Sequence, residues 1–176
     1  PIVSRSRSTA PSATSTRFTK RLASSATSLV AMNREMIGFT YPPSEPWSVT
    51  HENIAAFARA IGDDNPVYYS DEAAQALGHS GVCAPPTFPI TVTMAAMDAS
   101  FHDPALGMDF TRVVHSDQRF DYTRPVRVGD DLVVVTVVED IRAVGNNDIA
   151  TFRTEVSSHG EPVVVAWSKL VVRGDS

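Results

Sequence analysis

Cysteine is almost missing from this chain. Cys83 is the single one in 176 residues, so neither an intramolecular disulfide framework nor a cysteine-rich zinc site can form. A reducing, cytoplasmic interior is the compartment that this usage fits. No stretch reaches the roughly 18 consecutive apolar residues of a membrane-spanning helix. The histidines at 51, 79, 102, 115 and 159 lack metal-ligand spacing such as two on one helix face four residues apart. There is no G-x-S-x-G, no P-loop and no G-x-G-x-x-G, which removes the usual signs of a serine hydrolase, an NTPase or a dinucleotide enzyme. Neither a metal nor a cofactor is implied. With no internal repeat, and with 43% hydrophobic residues, the chain reads as one domain with a core of its own.

Positive charge is scarce where the domain lies. Residues 1 to 35 hold six bases (Arg5, Arg7, Arg17, Lys20, Arg21, Arg34) against Glu35 alone. Residues 36 to 176 hold nine bases and nineteen acids, a net of −10 inside an overall −5. Such a surface repels nucleic acid, and no Lys/Arg stripe with interleaved aromatics offsets it. Pro1 to Ala31 is rich in Ser, Thr and Ala, contains no acid and has little apolar periodicity. It buries too little to offset its ordering entropy, so residues 1–35 are expected to be a disordered leader or extension before a domain at 36–176. The acid-poor, Arg/Ser-rich composition matches an organellar transit peptide, with an organellar matrix as the alternative location. It matches equally well sequence upstream of a start at Met32 or Met36.

From Ile37 the chain is patterned. The prolines of Tyr41-Pro42-Pro43 and Glu45-Pro46 favour extended backbone before them, and Trp47 to Val49 suits a short strand. Thr50 is an N-cap for a helix with Ile54, Phe57, Ala58 and Ile61 on one face, stopped by Gly62. Ser70 caps a shorter helix ended by Gly78. Pro85 and Pro86 are placed to open a helix that is apolar or Thr on nearly every face, the pattern of one buried all round, and Pro89 must then lie in its first turn. Four β-rich runs follow: Val113 to Tyr122, Leu132 to Ile141, Ile149 to Ser157 and Pro162 to Val172. Gly129-Asp130, Gly145-Asn146-Asn147-Asp148 and His159-Gly160-Glu161 punctuate them, the last two being hairpin chemistry. A curved antiparallel sheet after a long apolar helix implies an α+β hot-dog arrangement, the sheet wrapped around the helix.

Between the first two helices stands F-A-R-A-I-G-D-D-N-P-V-Y-Y-S-D-E-A-A, residues 57 to 74. Gly62, Asp63, Asn65, Pro66 and Val67 resemble the G-D-x-N-P-(aliphatic)-His signature of MaoC-like (3R)-hydroxyacyl-thioester hydratases and dehydratases, a hot-dog family. The Y-P-P and W-S-V-T opening, the A-P-P-T-F stretch at 84–88 and the Q-R-F-x-Y-x-R-P-V-x-x-G-D run from Gln118 to Asp130 are similar to the FAS1-like dehydratase group. That group includes non-catalytic subunits of heterodimeric (3R)-hydroxyacyl-ACP dehydratases. The likeness spans about Ile37 to Arg173. It implies that Asp63 is catalytic and that the family histidine position is occupied by Tyr68. It also implies that Asn65, Pro86, Thr87, Phe88, Met94 and Met97 contact substrate. Read without the family, Asp63 and Asn65 make a turn, Gly129 and Asp130 make another, and Cys83 is a small buried hydrophobe.

Hydration of an enoyl thioester needs a base for water and donors for the enolate oxygen. Asp63 can orient or deprotonate water. A phenol with a pKa of about 10 is ionised to roughly one part in a thousand at pH 7, so Tyr68 can donate a hydrogen bond but cannot act as the base. Aligning Gly81 to Ala84 with the A-H-G-M-like entrance of active members puts Pro85 and Pro86 where a histidine and an N–H donor belong, and proline has no N–H. The amides of Thr87 and Phe88 remain as candidate oxyanion donors. Three functions follow. The first is a scaffold subunit that supplies the acyl-binding tunnel to a catalytic hot-dog partner in a (3R)-3-hydroxyacyl-CoA or -ACP dehydratase. The second is a self-sufficient enoyl-CoA hydratase using Asp63. The third is a non-catalytic homodimer that holds acyl thioesters.

Overall fold

The architecture is that of a computed structural model describing residues 31–174; most of the stretch 1–35 expected to be a leader or extension lies outside the described residues. Five antiparallel strands form one sheet in the order β1-β3-β4-β5-β2. Their bounds are Trp47–Ser48 (β1), Val113–Tyr122 (β2), Asp131–Val144 (β3), Asn147–Ser158 (β4) and Glu161–Val172 (β5). Three α-helices precede β2: His51–Ala60 (α1), Asp71–Ala76 (α2) and Ile90–Phe101 (α3). Among the described residues no helix is long and apolar enough to cross a membrane.

Alternation builds the sheet. Along β3, Leu132, Val134, Thr136 and Val138 turn inward and are buried, while Val133, Val135 and Val137 are half-buried on the other face. Register shifts at Val138/Asp140, His115/Asp117 and Val156/Ser157 mark bulges, which bend strands and sharpen their twist. The result is a curled half-barrel with α3 against its concave face, the hot-dog arrangement that the strand pattern implies. The β4–β5 hairpin turns through His159 at φ +51° and Gly160 at φ +84°, the two positive values that a tight twisted hairpin demands.

The core has two parts, both touched by α3. One gathers Phe88, Val92, Ile54, Val134 and Val164; the other gathers Met97, Phe101, Leu106 and Phe152. Into the second part reach Met32 and Met36, both buried. The Met32 N–H donates to the Asp148 carboxylate (2.9 Å) and the Asn33 N–H to the Leu106 carbonyl (3.0 Å), so residues 32–36 are tied into the folded unit. The chain then runs along the outer edge of β3: the amides of Gly38, Tyr41 and Ser44 donate to the carbonyls of Val138, Thr136 and Val134. That edge is covered. The outer edge of β2, ten residues long, is paired with no strand among the described residues.

Helix α3 departs from its sequence pattern in two ways. It starts at Ile90 with Pro89 as its N-cap, and Pro85 to Thr87 form turns outside it. Any of the three prolines is compatible with a helix entrance; the choice is made by Phe88, which drops into the core ahead of the helix. Nor is α3 buried all round, because Thr91, Ala95, Asp98 and Ala99 are exposed in this chain. Short Ala and Thr side chains sit well on either side of a helix, so the pattern did not distinguish the covered face.

Candidate functional site

The G-D-x-N-P stretch is a chain of local caps. Thr50 and Asn53 form a reciprocal capping box at the start of α1, a contribution of about 1 kcal/mol. At its end Gly62 takes φ +71°, which lets the Asp63 N–H return to the Ala58 carbonyl at 2.9 Å. The Asp63 Oδ1 then accepts from the Asn65 N–H (3.1 Å), and the Asn65 Oδ1 from the Val67 N–H (3.2 Å). The Tyr69 hydroxyl donates to the Asp63 carbonyl at 2.9 Å. Pro66 opens a short 3-10 turn, Pro66–Tyr68, that points Tyr68 inward.

Tyr68 ends 8% exposed. Burial first, then the Asp63 carboxylate and the Cys83 thiol, raise its pKa above the ordinary phenol value. The phenolate is therefore scarcer here than in water. A phenol kept protonated in this way can donate a hydrogen bond but is not a base at neutral pH. Burial likewise pushes the Cys83 thiol up, an effect that Arg127 offsets only in part, so Cys83 is a poor nucleophile.

These groups face a cavity of about 340 Å³ lined by Asn65, Tyr68, His79, Cys83, Pro86 and Tyr122, with Val67, Leu77, Ala84 and Pro125 as apolar wall. Two segments close it. Cys83 forms a bridge with Arg127, flanked by Ala84 N–H to Val126 carbonyl (2.9 Å) and Val128 N–H to Val82 carbonyl (3.4 Å). On the other side the Tyr122 hydroxyl donates to the Pro86 carbonyl at 2.7 Å. The cavity thus lies beside the C-terminal end of β2, next to the uncovered edge.

Of the residues singled out from sequence, Asn65, Tyr68 and Pro86 meet at this cavity, with Asp63 behind Tyr68. Thr87 is exposed on the adjoining turn. Phe88 and Met97 are sealed in the core, and Met94 is half-buried against its second part. None of these three lines the cavity. The amide expectation also changes: the Phe88 N–H is taken by the Pro85 carbonyl (2.9 Å), and those of Ile90, Thr91 and Val92 by the carbonyls of Thr87, Phe88 and Pro89. The start of α3 satisfies its own donors, leaving the amides of Phe88 through Val92 unavailable to an oxyanion. His79 and Tyr122 were not anticipated. Nothing local marks them, since a distant pairing of 82–84 with 126–128 builds the wall beside His79. Among the described residues no group of three or more His, Cys, Asp or Glu is placed to hold a metal ion.

Comparison with known proteins gives relatives of the whole domain. The family described as "FAS1-like, dehydratase domain region" matches residues 35–166. The UPF0336 protein SCO4636 of Streptomyces coelicolor is 49% identical over 145 residues, 82% of this chain and 97% of the relative. Among solved structures, the C-terminally truncated HadBC (3R-hydroxyacyl-ACP dehydratase) complex of Mycobacterium tuberculosis superposes with a TM-score of 0.68 at 29% identity, covering 77% of this chain and 96% of that one. A MaoC-like dehydratase gives 0.73 at 30% identity, over 79% of this chain and 42% of that one.

Proposed function

Because the chain belongs to the FAS1-like dehydratase-region family, we propose that it is one subunit of a (3R)-3-hydroxyacyl-thioester dehydratase, or enoyl hydratase, of fatty-acyl metabolism. It supplies the acyl-binding scaffold, and a second hot-dog chain with an unbroken G-D-x-N-P-x-H signature supplies the chemistry. The observation that carries the reading is Tyr68. The position that needs a base holds a buried phenol whose ionisation is further suppressed by Asp63, while the amides at the start of α3 are spent. The family's base position and the Phe88 amide, one of the two candidate oxyanion donors, are thus both unfit for those tasks.

The need for a partner has its own support. Among the described residues no strand pairs with the outer edge of β2, where Val114 and Tyr122 are exposed, and such an edge calls for cover. Tyr122, the last residue of β2, lines the cavity, so a chain pairing along β2 would lie near it. HadBC is described as a complex, which gives a precedent for two such chains joined in one dehydratase.

The test is hydration of a trans-2-enoyl thioester, followed as loss of enoyl absorbance, by the full chain alone and with a co-encoded hot-dog partner. General acid–base chemistry contributes about 10²–10⁴-fold, so the chain alone should be at least about 100-fold slower than the pair. Equal rates with and without the partner would overturn the scaffold reading in favour of a self-sufficient hydratase. Binding without turnover in either preparation would leave an acyl-thioester-holding protein.

A further inference from the structure

We propose that the convex face of the sheet is a docking surface for a second copy of this chain, the two copies packing face to face about a two-fold axis that crosses strands β4 and β5. The face is separate from the outer edge of β2, so a chain paired along that edge leaves it open.

Alternate residues of the strands fill the core, so their neighbours point outward. An antiparallel sheet with one solvated face commonly carries polar residues there. Here Val133, Val135, Val137, Val165 and Trp167 point outward, each left half-buried. The strand register lines the outward residues up in rows. One row is Val137, Arg153, Trp167 and Arg119; the next, two residues along each strand, is Val135, Glu155, Val165 and Asp121. Arginines in the first row thus stand beside carboxylates in the second.

Charge decides what can cover this patch. Arg119 pairs with Asp121 and Arg153 with Glu155, and Lys169 lies 3.2 Å from Asp117. The Arg119 guanidinium also sits over the Trp167 ring, 4.7 Å from its centroid. Three bases matched by three acids make the patch neutral, in a domain whose residues 36–176 sum to −10. Two copies repel each other over the acidic remainder of their surfaces; here they do not. A half-turn about an axis midway between the two rows sets the basic row of one copy on the acidic row of the other. Arg153 then faces Glu155 of the second copy, Arg119 faces its Asp121, and Trp167 faces its Val165. Each pairing occurs twice, as an isologous contact requires. Stacked sheets lie about 10 Å apart, within reach of these side chains. Burial of the valines and Trp167 supplies the affinity, and the charges set the register. Because the sheet is curled, two convex faces meet only at their middle, so the contact belongs to the small, transient class and a micromolar Kd is expected.

The experiment is sedimentation velocity on the full chain at rising concentration, for the wild type, Arg153→Glu, Glu155→Arg and an equimolar mixture of the two variants. The wild type should self-associate. Each reversal alone sets like charges against each other twice in the dimer and should weaken association at least about tenfold. In the mixture, Glu at 153 in one variant meets Glu155→Arg in the other, and its unchanged Glu155 meets Arg153, so association should return to the wild-type level. A folding defect would not be repaired by mixing. In Trp47→Phe, which leaves Trp167 as the one tryptophan, emission should move to shorter wavelength on association, and should not when either reversal is added. A wild type that stays a single chain at every concentration overturns the proposal. An assembly that both reversals leave intact also overturns it, and assigns that assembly to another surface such as the β2 edge. So does a mixture that associates no better than its two components.

Discussion

Asp130→Ala is expected to lower folding stability by about 3–5 kcal/mol, because it strands a largely buried cation. The Asp130 side chain is 9% exposed, and its two oxygens accept from Arg124 at 2.7 and 2.9 Å. One of them also takes the Arg127 N–H at 2.8 Å. Sequence reading assigns Gly129-Asp130 to turn chemistry alone. The turn is there, with Gly129 at φ +90°, but its carboxylate is also the anchor of the loop that carries Arg127. Burial opposes ionisation of Asp130, and the hydrogen bonds from Arg124 and Arg127 outweigh it, leaving the carboxyl below its ordinary range. A group whose pKa falls on folding stabilises above its unfolded value and loses that contribution as pH drops through the folded one. The gap between wild type and Asp130→Asn in urea unfolding should therefore be widest near neutral pH. It should narrow below about pH 4, the ordinary carboxylate value. A loss under about 1 kcal/mol at pH 7 would mean that the pair behaves as a solvated surface bridge.

Phe88→Ala should cost a similar amount, about 3–5 kcal/mol. The ring is 1% exposed and packs against Trp47 (centroids 5.9 Å) and edge-on to Phe57 (5.4 Å). It thereby pins the turn before α3 to α1 and β1. Phe88→Leu, which keeps much of the volume, should cost less than about 1.5 kcal/mol. The two substitutions separate a core residue from a tunnel wall. If Phe88→Ala shifts the unfolding midpoint little and instead changes which acyl lengths the proposed two-chain dehydratase accepts, then Phe88 contacts substrate after all.

Local chemistry was legible in the sequence. Thr50, Gly62, Ser70 and the His159-Gly160 turn act through hydrogen bonds and φ values a few residues away, and each does in the structure what its type predicts. The strands were readable for the same reason, since alternation is a property of neighbours. What escaped depends on distant partners. The start of α3 turns on where Phe88 packs, the inclusion of Met32 on Asp148, and the role of His79 on a bridge between residues 83 and 127. The signature itself shows both sides. Its caps were visible, whereas the place of Tyr68 in a cavity closed by Tyr122 belongs to the assembled fold.

The strand order also sets a schedule for the growing chain. Both outer strands are made before the strands they join: β1 waits for β3, and β2 waits for β5, which ends at Val172. Helix α3 leaves the ribosome with no sheet to cover it. Only the β3-β4-β5 meander can zip up as it is made, through near-neighbour contacts that close cheaply. The cavity wall at Tyr122 is therefore completed only after β5 has been synthesised. Until then the apolar helix and the outer strand β2 are exposed together.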